Sequence, residues 1–137
     1  LVRQSDILCT ITKASTPVLK REWVQPGTHI NAAGSNSLSR QEIDPETLRG
    51  ADILVIDSIE QAKMECGDLF PLVQAGEKKW DDLIELSTVV SSGKSLREGS
   101  SQISIFESHG LGLWDIAVGK LIYDRACEAG VGTKLPF

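Results

Sequence analysis

Ile53-Leu54-Val55-Ile56, bounded by Asp52 and Asp57, is an unbroken run of large aliphatic residues. Alternating polar residues would mark a strand with one wet face. Their absence marks a strand covered on both faces, which means a parallel sheet whose strands are joined by helices. The flanks agree. Asp44-Pro45-Glu46-Thr47 is a helix start: aspartate accepts from the free first-turn amides, and proline at the first helical position lacks only an N–H that had no partner there. That helix is short and stops near Gly50. Ser58-Ile59-Glu60-Gln61 is a capping box opening a second helix through about Glu65. Ser39-Arg40-Gln41-Glu42 has capping-box spacing too, although Asp44 begins the stronger start.

The rest of the chain follows the same grammar. Asp6 to Thr12 reads as a buried strand with a polar tip, and Thr10 and Thr12 share one side of it because strand side chains alternate. Either hydroxyl can serve a ligand or the loop backbone. Ser15-Thr16-Pro17 breaks the chain, and Leu19 to Val24 is a short amphipathic turn. Pro26-Gly27 is a turn signal. Thr28 to Ala33, uncharged and lean, suits a strand covered on both faces. Ala33, Gly34 and Ser35 leave almost no side-chain volume above its end, so a ligand could touch backbone there. Gly67-Asp68 interrupts the second helix, Pro71 can restart it and Gly76 ends it. Trp80 to Leu86 reads as a turn and a short extended piece, Thr88 to Ser92 as one helical turn ended by Gly93, Lys94 to Gln102 as a polar surface loop, and Ile103 to Phe106 as a strand. Leu111 to Glu128 is helical, with Trp114, Ala117, Val118, Leu121 and Ile122 on one face and Gly130 placed to end it.

These elements predict an α/β fold: a doubly wound, Rossmann-like parallel sheet with flanking helices. One part is missing. A dinucleotide-binding sheet opens with strand, G-x-G-x-x-G/A and helix, then an acidic residue about 20 positions later, and no such unit occurs here. Gly110-Leu111-Gly112 does precede a helix, but Asp115 stands where a small residue is wanted; it reads as a helix start with a minor chance of anion contact. The chain therefore looks like the later half of a nucleotide-binding sheet, lacking the first βαβ glycine-motif unit.

With 137 residues, 41% of them apolar, there is enough for one real core and too little for two ordinary domains. A formal charge of -5 with scattered Lys and Arg supplies no basic stripe for nucleic acid. No run is long and apolar enough to span a bilayer, so no membrane partner is expected. Cys9, Cys66 and Cys127 are odd in number and far apart, which fits reduced thiols in a cytoplasmic protein. With two histidines, no C-x-x-C and no H-E-x-x-H, metal binding is a weak expectation and none is assigned. The start at Leu1 suggests a processed product or a piece of something longer.

Four stretches resemble the ornithine cyclodeaminase and mu-crystallin family, which includes ketimine reductases and some alanine dehydrogenases: Asp6 to Thr12 (D-I-L-C-T-I-T), Pro26 to Asn36 (P-G-T-H-I-N-A-A-G-S-N), Glu65 to Leu69 (E-C-G-D-L) and Ile103 to Asp115 (I-S-I-F-E-S-H-G-L-G-L-W-D). The resemblance implies that residues 1–110 are the later half of an NAD- or NADP-binding domain, and that residues 111–137 are a helix and tail packing on a separate substrate and dimerisation domain of a homodimer. It also implies roles. Thr12, Ala33, Gly34 and Ser35, with Thr10 beside them, lie near the nicotinamide half of the cofactor. Arg40 and Ser108 match cofactor-contacting positions, and backbone contact to a small amino-acid or cyclic imino-acid substrate is expected at His109. Asn36 stands at the cofactor too, where true ornithine cyclodeaminases carry a catalytic aspartate. An amide can hydrogen-bond a substrate amine but cannot act as a base near neutral pH. The resemblance therefore points to imino-acid reduction ahead of cyclodeamination, with a non-catalytic, crystallin-like binding protein as the third reading.

Overall fold

The computed structural model describes residues 1–136. Five strands, β1 (Ile7–Thr10), β2 (His29–Ala32), β3 (Ile53–Ile56), β4 (Ile84–Glu85) and β5 (Ser104–Glu107), form one sheet in the order β1-β2-β5-β3-β4. Every neighbouring pair is parallel. The register aligns the carboxyl ends: Thr10 lies opposite Ala32, Ala32 opposite Glu107, Glu107 opposite Ile56, and Ile56 opposite Glu85. The residues that follow these strands therefore all gather along one edge of the sheet, where open α/β folds bind their ligands.

Helices α1 (Pro45–Arg49), α2 (Ile59–Glu65), α3 (Phe70–Gln74), α4 (Leu86–Ser92) and α5 (Gly112–Glu128) complete the fold. Asp44 caps α1 by accepting from Thr47 N–H at 2.8 Å, and Ser58 caps α2 by accepting from Gln61 N–H at 3.3 Å, as their spacing predicts. Leu48 of α1, Ala62 of α2 and Leu72 of α3 join Ile30, Ile43, Leu54, Ile56, Leu69 and Ile105 in a single core. The β3 run is buried at every residue, as an unbroken aliphatic strand should be.

Four local expectations are corrected. Ser39 to Glu42 does not start a helix, because Glu42 is drawn into the fold: its carbonyl accepts from Val18 and Leu19 N–H, and its own N–H donates to Asp68. The helix before Gly93 is two turns, not one, and ends where Gly93 takes φ +61°. In β2 only Ile30 and Ala32 are buried, while His29 and Asn31 are half-exposed. Most clearly, β1 is not buried. It is the edge strand, Ile7 is 64% exposed, and Ile11 just beyond it is 79% exposed. Burial on both faces needs layers on both faces, and among the described residues nothing covers the second face of β1 and β2.

Helix α5 shows the same lack of a partner. None of its residues is buried, and Trp114, Val118, Leu121 and Ile122 form an apolar face open to solvent.

Candidate functional site at the carboxyl edge of the sheet

The predicted site residues do converge. Thr10, Thr12, Ala33 to Asn36 and Ser108 follow β1, β2 and β5 at the aligned edge, and main-chain bonds lock the tips together: Ala33 N–H to Thr10 C=O and Ser108 N–H to Ala32 C=O, both 2.8 Å. What they converge on is a set of buried carboxyl groups that the sequence reading did not single out.

Glu42 is fully buried between the ends of β1 and β2. Its carboxyl accepts from Thr10 Oγ1 at 2.8 Å, from Gly34 N–H at 2.7 Å and from Thr12 N–H. This changes the meaning of the small-residue tip. A Cβ on Gly34 would overlap the Glu42 carboxyl and the Thr12 carbonyl, so the close approach that glycine permits is made by the protein's own glutamate. Thr10, Thr12 and Gly34 thus direct hydrogen bonds inward. Thr12 Oγ1 accepts from Ala14 N–H at 3.1 Å.

Glu107, at the end of β5, is also fully buried, and Ser35 Oγ donates to it at 3.3 Å. Burial, and then the neighbouring charge of Asp68, push the Glu107 carboxyl well above the usual glutamate range. Asp68, buried beside it, accepts from Glu42 and Ile43 N–H at 2.8 and 3.1 Å. Desolvation outweighs those bonds, and the Asp68 carboxyl is pushed up to about 6.

Asp57, at the end of β3, shows the opposite balance. One of its oxygens accepts from His109 N–H at 2.7 Å, Gly110 N–H at 2.9 Å and Ser108 Oγ at 3.3 Å; the other accepts from Ser58 N–H at 2.8 Å and faces His109 Nδ1 at 3.3 Å. Burial alone would raise this carboxyl, but the His109 ring, the His109 and Gly110 amides and the imidazole charge outweigh it, leaving Asp57 below the usual aspartate value. Two readings are sharpened here. The anion at the Gly110 amide is Asp57, and the His109 N–H is engaged by the same carboxylate with its ring buried, so contact from His109 to a substrate would fall to its carbonyl.

Asn36 and Arg40 remain outward. Both hydrogen-bond from one surface position, the Arg40 guanidinium donating to Asn36 Oδ1, which leaves the Asn36 amide hydrogens for another partner. Main-chain geometry holds Asn36 in place through an antiparallel bridge to Cys66 and through the Gly67 N–H bond to Ser35 C=O at 3.0 Å. Gly67 permits that contact, since a Cβ there would overlap the Arg40 carbonyl.

Sequence reasoning missed Glu42, Asp57, Asp68 and Glu107. The available signal was acidic residues abutting apolar runs, as in Ile56-Asp57 and Phe106-Glu107, where solvation is scarce.

A parallel sheet with level carboxyl ends, hydrogen-bonded tips and flanking helices is a Rossmann-like α/β architecture, whose ligands sit at the strand ends. The chain belongs to the ornithine cyclodeaminase/mu-crystallin family, whose model matches residues 1–130. It is 41% identical over 133 residues to an alanine dehydrogenase of Archaeoglobus fulgidus, covering 96% of this chain and 41% of that one. A Delta(1)-pyrroline-2-carboxylate reductase of Bacillus cereus is 39% identical, with 99% of this chain and 42% of the relative covered. Among solved structures, Thermococcus litoralis Delta(1)-pyrroline-2-carboxylate reductase in complex with NADH and L-proline superposes with a TM-score of 0.87 at 38% identity, over 98% of this chain and 42% of that chain. The chain thus spans about two-fifths of the length of the relatives it matches. Among the described residues no helix is long and apolar enough to cross a membrane.

Proposed function

We propose that this chain forms the later half of the nucleotide-binding domain, with its returning helix, of an NAD(P)H-dependent imino-acid reductase acting on cyclic ketimines of the pyrroline-carboxylate type. The observation that carries this reading is Asn36: an amide, outward at the carboxyl edge, where cyclodeamination wants a carboxylate base. When bound, the cofactor would supply the hydride that reduces the imine carbon. The chain's contribution is to place backbone and Asn36 at the nicotinamide end. The residues fit that end and not the phosphates: the tip amides of Thr12, Gly34, His109 and Gly110 are already taken by Glu42 and Asp57, and the sequence carries no complete G-x-G-x-x-G/A turn. The unpaired edge of β1 and the bare apolar face of α5 support residues 1–110 and 111–137 as parts of a longer homodimeric protein, the first continuing a sheet and the second packing on another domain.

In that longer protein, loss of nicotinamide absorbance with a pyrroline carboxylate, without ammonia release from ornithine, is the expected result. Ammonia release from ornithine with no imine reduction would overturn the reading in favour of the cyclodeaminase, and nucleotide binding with neither activity would favour a binding protein.

A further inference from the structure

Cys66, at the end of α2, and Glu107 and His109, at the end of β5, are far apart in sequence, yet sulfur, a carboxyl oxygen and a ring nitrogen lie within 4.8 Å of one another. All three residues are buried. The ring is oriented for a task. Asp57 faces His109 Nδ1 and so favours the tautomer with the proton on that nitrogen, which puts the free lone pair on Nε2. Nε2 is buried without a hydrogen-bond partner, and so is Oε1 of Glu107. Two buried polar atoms without a partner in one cluster require an explanation. Burial and then the neighbouring Glu107 charge push the Cys66 thiol well above its usual range, and the Leu69 N–H bond to Sγ at 3.4 Å opposes this only in part, so without a cation the sulfur keeps its proton.

Charge points the same way. Glu42, Asp57, Asp68 and Glu107 are buried at this end of the sheet, and no Lys or Arg is buried among the described residues. Such a cluster is kept by protons or by a cation. A thiolate, an imidazole nitrogen whose partner nitrogen is held by a carboxylate, and a carboxylate oxygen are the donor set of a borderline-soft transition metal, and sulfur disfavours magnesium and calcium.

We propose that Cys66, Glu107 and His109 hold one divalent transition-metal ion of the zinc class, in a closed site that ties the end of α2 to the end of β5, with water completing the coordination. Binding displaces the Cys66 thiol proton to solvent, and the metal–sulfur bond replaces the S–H bond. The ion gives both orphaned atoms a partner and offsets the surrounding acidic charge.

Cobalt is the probe, since thiolate ligation gives a charge-transfer band in the near ultraviolet and tetrahedral geometry gives intense visible bands. The chain produced in cobalt-supplemented medium should retain one ion after gel filtration and show both signatures. Cys66→Ser should abolish the charge-transfer band, whereas replacing the exposed Cys9 and Cys127 together with serine should leave it intact. Asp57→Asn, which replaces the carboxylate that orients the ring and also accepts from the Ser58, His109 and Gly110 amides, should lower metal affinity roughly 10–100-fold. If Cys66→Ser fails to fold, the Cys9/Cys127 double variant and Asp57→Asn still decide the matter. No retained cobalt, a band that survives Cys66→Ser, a band lost with Cys9 and Cys127, or an unchanged affinity in Asp57→Asn would each overturn the proposal.

Discussion

Glu42→Ala should be the most damaging single truncation at the sheet edge. The substitution removes the acceptor from Gly34 N–H, Thr12 N–H and Thr10 Oγ1 at once. Their costs differ. Gly34 is buried, so its amide is left with no partner, at about 1–3 kcal/mol; Thr12 is exposed, so its amide reaches water cheaply; Thr10 loses a bond worth about 0.5–1.5 kcal/mol net. The sum is about 2–4 kcal/mol, a large share of the roughly 5–15 kcal/mol that stabilises a domain. With an m-value of about 2 kcal/mol/M, the urea midpoint should fall by about 1–2 M. Urea titration followed by the fluorescence of Trp23 and Trp80, both packed against the core, measures it. Two controls apportion the effect: Thr10→Val removes one hydroxyl and should cost about 1 kcal/mol, and Glu42→Gln, which keeps one acceptor oxygen but sets an NH2 against a donor, should fall between Thr10→Val and Glu42→Ala. Glu42→Ala within 0.5 kcal/mol of the parent, or Glu42→Gln indistinguishable from it, would refute the idea that this carboxyl ties the tips together.

Stability of the metal-free chain should fall as pH rises from about 4 through 6 and beyond, because Asp68 is raised from 3.8 to about 6 and the folded state therefore binds more protons than the unfolded chain in that window; thermal melts at pH 5 and pH 7.5 check the sign, and Asp68→Asn should flatten the slope. Gly67→Ala should destabilise by more than 2 kcal/mol, on the order of an overpacked core site, since its Cβ meets rigid backbone; an unchanged melting temperature would show that the turn yields. In a protein with a complete nucleotide-binding domain around these residues, Asn36→Asp should raise any ornithine deamination while nucleotide affinity stays within a few-fold, and a variant that still reduces imines but gains no lyase activity would remove Asn36 as the discriminating residue. The isolated 137-residue chain should bind NADPH poorly in a fluorescence titration, since the pyrophosphate-binding turn is not encoded in it; saturable binding at micromolar nucleotide would contradict that.

Much of this architecture is written locally, and what is not depends on distance. Ile53 to Ile56 announces a doubly covered strand, and Asp44 and Ser58 announce their helices, because periodicity and capping act within a few residues. The exposure of β1 could not be read from Asp6 to Thr12, since an edge strand and a central one can have the same composition and differ only in what lies beside them. Glu42 illustrates a second limit. Its spacing from Ser39 mimics a capping box, and only the arrival of Gly34 and Thr12 from other segments gives its carboxyl better donors than a helix end would. The gathering of these residues at the sheet edge was legible, because small and hydroxyl residues after strands mark an edge; their partners were not, because Asp57, Asp68 and Glu107 acquire meaning only from neighbours dozens of residues away.

The interlock of Gly34, Thr12 and Glu42 sets a rule for anyone who recombines such domains. The loop after β1, the loop after β2 and the segment from Arg40 to Asp44 form one inheritable cassette. A chimera that exchanges the Gly34 loop for one with alanine must also exchange the glutamate that fills the space above it, and a library that shuffles the three segments independently will be dominated by non-folding members.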